Sequence, residues 1–255
     1  MKYNRFLPLI IPLLTLIMSE VYYFKHGLIY VAIVVILLTL FFAIRQFLIA
    51  GNSSDSWYNY FISPAVLLLG TMAFSTMVAG NWLVQLLLIG VTIWLYYYLR
   101  MLYVYLIHFN LRQKEGLKNF STYGNFLSFY FIISSLYGIR AFLNYDVWPL
   151  MLIFLVATFL VIYQLFWING IKWRDGSFYV LLLTLVLTEL AWATTFLTLS
   201  FYILGLIIAI AYYILTGLSR FYLQGELDRK IVKSYLIFGL TSILVVLFSA
   251  RWFET

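Results

Sequence analysis

Cysteine is absent from the chain and histidine is nearly so, and these two shortages exclude several kinds of functional site. Disulfide bonds, thiol catalysis and cysteine-bound metals all need cysteine side chains. The two histidines, His26 and His108, are too few for a histidine-rich metal site, and each is more typical of a polar residue at a membrane interface. We therefore predict that the protein holds no metal and no other cofactor.

Charged residues are also scarce. Only 10% of the 255 residues are charged, whereas 65% are hydrophobic and the mean hydropathy is +0.99. Soluble domains are about 25% charged. Because no soluble core of this size buries so much apolar surface, the lipid bilayer must be the solvent for most of the chain. The longest polar intervals are about 15 residues, shorter than a domain, so residues 1–255 are predicted to form a single transmembrane domain.

The chain does have many apolar runs, and a membrane-spanning helix needs about 20 mainly apolar residues. The predicted fold class is all-α, a polytopic integral membrane helix bundle with about nine transmembrane helices. Short links between alternate helices predict four hairpins followed by a ninth helix. In the eighth helix, Gly205 and Ala209 have the spacing of small residues at which membrane helices pack closely. The predicted spans are 6–24, 27–44, 61–79, 82–106, 123–143, 147–168, 178–197, 201–219 and 233–250.

The distribution of Lys and Arg predicts the orientation of these helices. The net charge is +7, and most of the 16 basic residues fall on the side of the membrane that holds the N-terminus. Cytoplasmic loops of membrane proteins are enriched in Lys and Arg. We therefore expect a cytoplasmic N-terminus and a C-terminus outside. This bias accounts for the positive charge, and we do not expect nucleic acid as a partner.

Two predicted cytoplasmic segments, 110–122 and 220–233, are basic enough to contact anionic lipid. In the second, apolar residues recur every four positions, which favours an amphipathic extension of helix 8 on the inner leaflet. Basic residues beside a membrane attract anionic head groups. The alternative is that these charges act only as topology signals. The residues expected to meet anionic head groups are Arg112, Lys114, Lys118, Arg229, Lys230 and Lys233.

Three charged residues lie within predicted spans of odd-numbered helices: Glu20 in helix 1, Arg140 in helix 5 and Glu189 in helix 7. All three fall in the outer half of the bundle at a broadly similar depth. Charged side chains in membranes usually face the bundle interior and pair with one another. The hypothesis is that both glutamates face the interior and that at least one pairs with Arg140. Other residues expected at this site are Tyr137, Thr188 and Trp192.

The role of this cluster stays open between several alternatives. One alternative is a structural ion pair that fixes the register of the helices. Another is a polar cavity that binds or passes a small solute or lipid. A third is that the Glu20 side chain merely extends to the membrane interface. The cavity is the leading functional hypothesis. The runner-up is a membrane scaffold or assembly subunit that binds other membrane proteins. An intramembrane enzyme with Glu189 as general base is the third, although the chain lacks zinc-protease, nucleophile-elbow and phosphate-loop motifs.

The last third of the chain carries a resemblance. The segment Thr188-Glu189-Leu190-Ala191-Trp192 is followed by a tight turn and by a basic segment before the last span. This order of features resembles uncharacterised polytopic membrane proteins of bacteria, a family without an assigned activity. The resemblance implies a bacterial cytoplasmic membrane and assigns no chemistry to any residue.

Overall fold

The computed structural model describes residues 6–53, 55–108 and 111–249, and it contains no strand within those ranges. The predicted all-α class is therefore confirmed. A short 3₁₀ helix, His26–Leu28, links the first two α-helices. The α-helices are α1 (Leu7–Phe24), α2 (Ile29–Ala50), α3 (Trp57–Ser75), α4 (Asn81–His108), α5 (Leu111–Leu143), α6 (Val147–Ile168), α7 (Trp173–Thr194), α8 (Phe201–Leu223) and α9 (Arg229–Ser249).

Most predicted spans coincide with these helices, and the sixth does so at both ends. The largest difference is at α5, which begins at Leu111 although the span was predicted to begin at 123. The segment 110–122 is therefore helical from Leu111 onward, and Asn110 lies outside the described residues. Hydropathy did not detect this part of the helix because its side chains are mainly polar and a helix outside the hydrocarbon needs no apolar run.

The segment 220–233 also differs from its prediction, because it is not one amphipathic helix. α8 ends at Leu223, and Gly225 follows in the left-handed region with φ 73°. α6 ends in the same way at Gly170, with φ 78°. Glycine adopts this conformation without steric cost, and an amide just beyond each glycine donates back to a carbonyl in the last helical turns, as in a Schellman motif. Each glycine thereby ends its helix.

Seven helices in the described ranges are long and apolar enough to cross a membrane, namely α1, α2, α4, α5, α6, α7 and α8. The fold is that of a polytopic membrane protein. α3 is outside this set, and it turns polar side chains inward, because Asn59, Ser63, Thr71 and Ser75 are all buried. That α3 and α9 also cross the membrane stays a prediction.

The chain divides into two compact units, and the first is Met1–Asn125. Within it, α1 packs most extensively along α4, and α2 packs against α1, α3 and α4. Fully buried Phe47 and Leu95 belong to the core that α2 and α4 share with their neighbours. The hydroxyl of Tyr98 on α4 donates to the main-chain oxygen of Tyr60 on α3 at 2.7 Å. Apolar packing and a few buried hydrogen bonds therefore hold this unit.

The second unit, Phe126–Thr255, contains the rest of α5 and α6 to α9. α5 is central to it, since the ring of Phe129 meets Phe154 of α6 at 5.3 Å and stacks on Tyr212 of α8 at 4.3 Å. α6 packs most extensively on α7, and α9 packs on α8. α7 also packs on α8, as the predicted hairpin 7/8 requires, whereas hairpin 5/6 shows the ring contact of Phe129 with Phe154, and the most extensive packing joins α6 to α7 from different predicted hairpins.

Candidate functional site

An open cavity of about 300 Å³ lies in the second unit, where the end of α5, the α7–α8 connection and the start of α8 meet. Polar atoms form most of the surface exposed inside it. It is thus a hydrophilic recess at one end of helices that are otherwise apolar. The lining residues are Tyr137, Arg140, Ala141, Asn144, Thr195, Leu197, Leu199, Phe201 and Leu204.

Arg140 and Tyr137 bind the end of α7 from α5. The Arg140 Nη1 donates to the carbonyl oxygen of Thr195 at 3.2 Å. The Tyr137 hydroxyl donates to the carbonyl of Ala191 at 2.9 Å and shares a 2.6 Å hydrogen bond with the Thr194 hydroxyl. The last carbonyls of a helix lack main-chain partners within the helix; the Ala191 carbonyl also accepts from the Thr194 hydroxyl at 3.0 Å, and the bonds from Tyr137 and Arg140 add partners from α5.

Arg140 is half-buried, and no ion pair joins it to an acidic residue in the described part of the chain. A guanidinium group has five N–H donors in a planar fork. The bond to Thr195 uses one of them, and the side chain lines the cavity. The cavity wall therefore carries a positive charge that no carboxylate in the described part of the second unit neutralises through an ion pair.

The start of α8 adds further positive character to the same cavity. Leu199, Phe201 and Leu204 line it, and Ser200, at the N-cap position, makes no side-chain hydrogen bond to the helix. The first N–H groups of a helix lack partners within it, and together they carry a partial positive charge. The 23-residue α8 thus directs its positive end to the recess that Arg140 lines, which favours an anion.

One helical turn from the cavity, α5 and α8 are in direct contact. Ser134 precedes Tyr137 by one turn, and Gly205 follows Leu204. A Cβ atom added at Gly205 would collide with the Ser134 hydroxyl and lie 3.1 Å from the Ser134 Cα. The close packing predicted at Gly205 and Ala209 is confirmed, since Ala209 is also fully buried.

Glu189 does not line this cavity. The buried face of α7 includes Leu187 and Ala191, the residue whose carbonyl accepts the Tyr137 bond. Glu189 is two residues from Ala191, about 200° around the helix axis, and its side chain is exposed. Within the described ranges it forms no ion pair with Arg140, so the predicted Glu189–Arg140 pair is not formed.

The two residues predicted beside Glu189 also lie away from the cavity. The Thr188 hydroxyl donates to the carbonyl of Thr184 at 2.7 Å within α7. Trp192 is exposed and stacks on Trp148 of α6, with the ring centres 6.2 Å apart. Of the predicted residues in the second unit, the structure therefore brings Tyr137 and Arg140 together and leaves the α7 residues on other faces.

Glu20 belongs to the first unit, where α4 supplies its partner. It is half-buried on α1, and its carboxylate accepts a hydrogen bond from the Gln85 Nε2 at 3.0 Å. Two residues further on, the Tyr22 hydroxyl is hydrogen-bonded to the Ser75 hydroxyl of α3. This end of the first unit is thus joined by polar contacts between three helices. Pairing of Glu20 with Arg140 stays a prediction.

The basic residues expected to meet anionic lipid lie on helices rather than in loops. Lys118 is half-buried on the first turns of α5, and the side chain of Arg112 is outside the described residues. Contact with lipid stays a prediction for all of them. Those with exposed side chains are Lys114, Arg229, Lys230 and Lys233.

A protein-family model matches residues 48–249, which is more than half of the chain. The chain belongs to the family described as Protein of unknown function (DUF5656). No curated protein and no solved structure matches it. The DUF5656 region begins in the last turn of α2 and ends with α9, so it contains the Arg140 cavity and Glu189 but not Glu20. The resemblance to a family without an assigned activity is thereby confirmed, and the bacterial setting stays a prediction.

Several parts of the cavity were not identified from the sequence. Asn144, which follows α5 with φ 49°, was seen only as part of a short link, although Asn is enriched in this left-handed region. Thr195 accepts through its main-chain oxygen, which leaves no trace in the sequence. Among the side chains that the structure describes, no three His, Cys, Asp or Glu residues are grouped so as to hold a metal ion.

Proposed function

We propose that the Arg140 cavity binds a small anionic group, either the head group of an anionic lipid or a free solute of the same charge. The observation that supports this proposal is that an arginine without an acidic partner and the uncapped start of α8 share one open cavity. Both favour negative charge. The volume of about 300 Å³ is at the lower end for ligand sites and suits a head group or a small solute.

Arginine is well matched to a phosphate or a carboxylate. Its planar fork forms two parallel hydrogen bonds to either group, which a lysine ammonium does not reproduce. Tyr137 and Asn144 add polar atoms to the same lining. The bond from Arg140 to Thr195 holds the guanidinium in place, so a ligand meets a group that is already ordered, and less conformational entropy is lost on binding.

Binding at one membrane face is favoured over passage through the bundle. Ser134 and Gly205 are in close contact one turn further into the helices than Tyr137, which leaves no gap between α5 and α8 at that level. A solute would have to separate α5 from α8 to go further. We therefore propose a binding function, and transport would require a second conformation of this contact.

The proposed setting is a bacterial cytoplasmic membrane with the N-terminus inside. In that orientation the Arg140 cavity opens outward at the level of the lipid head groups. The basic starts of α5 and α9 would lie at the cytoplasmic surface, where Lys114, Arg229, Lys230 and Lys233 attract anionic lipid. This proposal rests on the excess of basic residues on one side of the nine predicted spans.

The experiment that tests the binding proposal is a thermal-unfolding series on the full chain in a non-ionic detergent, followed by intrinsic tryptophan fluorescence. The probes are phosphatidylglycerol and glycerol 1-phosphate, which is the same head group without acyl chains. A ligand that binds only the folded protein stabilises it, by about 2.7 kcal/mol at 100 times Kd. We expect phosphatidylglycerol to raise the unfolding temperature of the wild type and to raise that of Arg140→Gln much less.

The matched control is Arg45→Gln, because Arg45 is exposed on α2 in the other unit. It should respond to the probes as the wild type does. Comparing probe-induced shifts, rather than absolute unfolding temperatures, separates binding from the loss of the Arg140–Thr195 bond. Stabilisation by glycerol 1-phosphate as well would identify a solute site, and stabilisation by the lipid alone a lipid site. Equal shifts in the wild type and Arg140→Gln would disprove the proposal.

A further inference from the structure

Large apolar side chains of the second unit continue past the ends of its helices. α7 ends at Thr194 and α8 begins at Phe201, yet the short connection between them contains Phe196, Leu197 and Leu199. Phe196 is 67% exposed and Leu197 is 43% exposed. A connection that faces water is normally polar, and exposed apolar patches mark contact surfaces. We therefore expect an apolar partner over this connection, beyond the residues that the structure describes.

These apolar side chains border the Arg140 cavity. Leu197 and Phe201 line the cavity together with Arg140. Phe142, which is 64% exposed near the end of α5, meets the Phe201 ring edge-on, with the ring centres 5.5 Å apart. The apolar rim of the cavity therefore consists of Phe142, Phe196, Leu197 and Phe201. A positively charged recess and an exposed apolar surface adjoin each other at this end of the second unit.

We infer that the ligand of the Arg140 cavity is an anionic phospholipid, whose phosphate group meets Arg140 while its acyl chains cover the apolar rim. This inference rests on the proposed anion-binding function and selects between its two sources. A phospholipid joins a phosphate and apolar chains in one molecule, so it matches both parts of the surface. A small soluble anion matches only Arg140 and the start of α8, and it would leave the rim uncovered.

The charge of the cavity also selects among lipids. A zwitterionic phospholipid carries a cationic group close to its phosphate, and both the guanidinium of Arg140 and the positive end of α8 repel that group. An anionic phospholipid has no such group. The charge complementarity of the recess therefore favours phosphatidylglycerol over phosphatidylcholine, even when the two lipids have the same chains.

The rim contributes to binding because it acts together with the charge. Other lipid tails cover an apolar side chain equally well, so the chains alone give no preference. A contact of the chains with the rim, however, holds the attached phosphate beside Arg140 at a high effective concentration. Two modest contacts made by one molecule thus give tighter binding than the head group alone.

The test is a titration of the full chain in non-ionic detergent, with the rise in unfolding temperature as the measure of binding. Three probes separate the parts of the ligand: phosphatidylglycerol, glycerol 1-phosphate as its head group without chains, and phosphatidylcholine with the same chains. We expect phosphatidylglycerol to bind at least tenfold more tightly than glycerol 1-phosphate, because of the tether. Phosphatidylcholine should cause no shift that depends on Arg140.

The apolar rim is tested by Leu197→Ser, which places a polar side chain in the connection outside any helix. The matched control is Leu227→Ser, since Leu227 is 40% exposed in the connection between α8 and α9. Leu197→Ser should weaken the binding of phosphatidylglycerol about fourfold, the effect of about one methylene group removed from apolar contact. It should weaken the binding of glycerol 1-phosphate much less, and Leu227→Ser should change neither.

The anion-binding function and the lipid assignment fail in different ways. If no anionic probe causes a shift that Arg140→Gln reduces, the anion-binding function is wrong and the lipid assignment falls with it. If that shift is present but glycerol 1-phosphate binds as tightly as phosphatidylglycerol, the site takes a soluble anion and only the lipid assignment is overturned. The same conclusion follows if Leu197→Ser binds phosphatidylglycerol as tightly as Leu227→Ser does.

Discussion

The region of α1 around Glu20 and the region of α7 around Glu189 look alike in sequence and differ in structure. Each is an apolar span with one glutamate four or five residues before its last residue. Glu20 is half-buried and accepts a hydrogen bond from Gln85 at 3.0 Å. Glu189 is exposed and has no such partner within the described chain. The first carboxylate is used inside its own unit, whereas the second faces outward.

The difference teaches that the rotation of a helix about its axis decides what a charged residue does. Glu20 is next to Ser19, which is buried, and α4 supplies an amide at the right height. On α7 the buried face centres on Leu187 and Ala191, and Glu189 lies on the other side. One sequence pattern therefore produces an intramolecular contact in one region and an available surface in the other.

Among substitutions that test the difference between Glu20 and Glu189, Gln85→Leu is expected to change the free energy of unfolding most. The substitution removes the donor to Glu20 and leaves a half-buried carboxylate without it. We expect the free energy of unfolding to fall by about 1–2 kcal/mol. This range lies between the typical contribution of a hydrogen bond between membrane helices and that of a hydrogen bond to a charged group. Reversible unfolding of the full chain in mixed micelles with increasing dodecyl sulfate measures it.

Gln46→Leu is the control for that measurement, because Gln46 is an exposed glutamine on α2. Its substitution should change the free energy of unfolding by less than about 0.5 kcal/mol. Similar values for the two variants would show that the Gln85–Glu20 bond contributes no stability.

A smaller effect is expected for Glu20→Gln. The amide oxygen still accepts from Gln85, but the bond is no longer assisted by charge and is weaker. We expect a loss of about 0.5–1 kcal/mol in the same unfolding assay. Glu226→Gln, at an exposed position just beyond α8, serves as the reference. A loss for Glu20→Gln larger than that for Gln85→Leu would mean that Glu20 has a more important partner than Gln85.

The smallest effect is expected for Glu189→Gln measured on the monomer. Since the exposed Glu189 side chain forms no hydrogen bond or ion pair with the residues that the structure describes, the free energy of unfolding should stay within about 0.5 kcal/mol of the wild-type value. The measurement needs enough detergent to keep each chain in its own micelle. If the monomer lost as much stability as Glu20→Gln, Glu189 would have an intramolecular role, and the contrast between α1 and α7 would disappear.

The candidate site was only partly accessible from the sequence. Arg140 was identified because it is a charged residue within a predicted span, at a depth similar to that of two glutamates, and Tyr137 because it precedes Arg140 by one turn. Glu189 was assigned to the same site because depth along a helix can be counted from the sequence. The direction around the helix cannot, and it separates Glu189 from Arg140. The start of α8 also lines the Arg140 cavity. Its place there depends on tertiary contacts with α5, which the sequence of α8 alone does not reveal.

The sequence by itself determined that the chain is all-helical, where most helices lie and that several cross a membrane. Long apolar runs have no other stable form in lipid, where every main-chain group must be bonded internally. Tertiary structure alone decided which face of each helix is buried, that Gln85 meets Glu20, and that Arg140 opens onto a cavity. The physical reason is that lipid and protein interior are equally apolar. A membrane helix therefore shows no apolar stripe in its sequence to tell its inner face from its outer one.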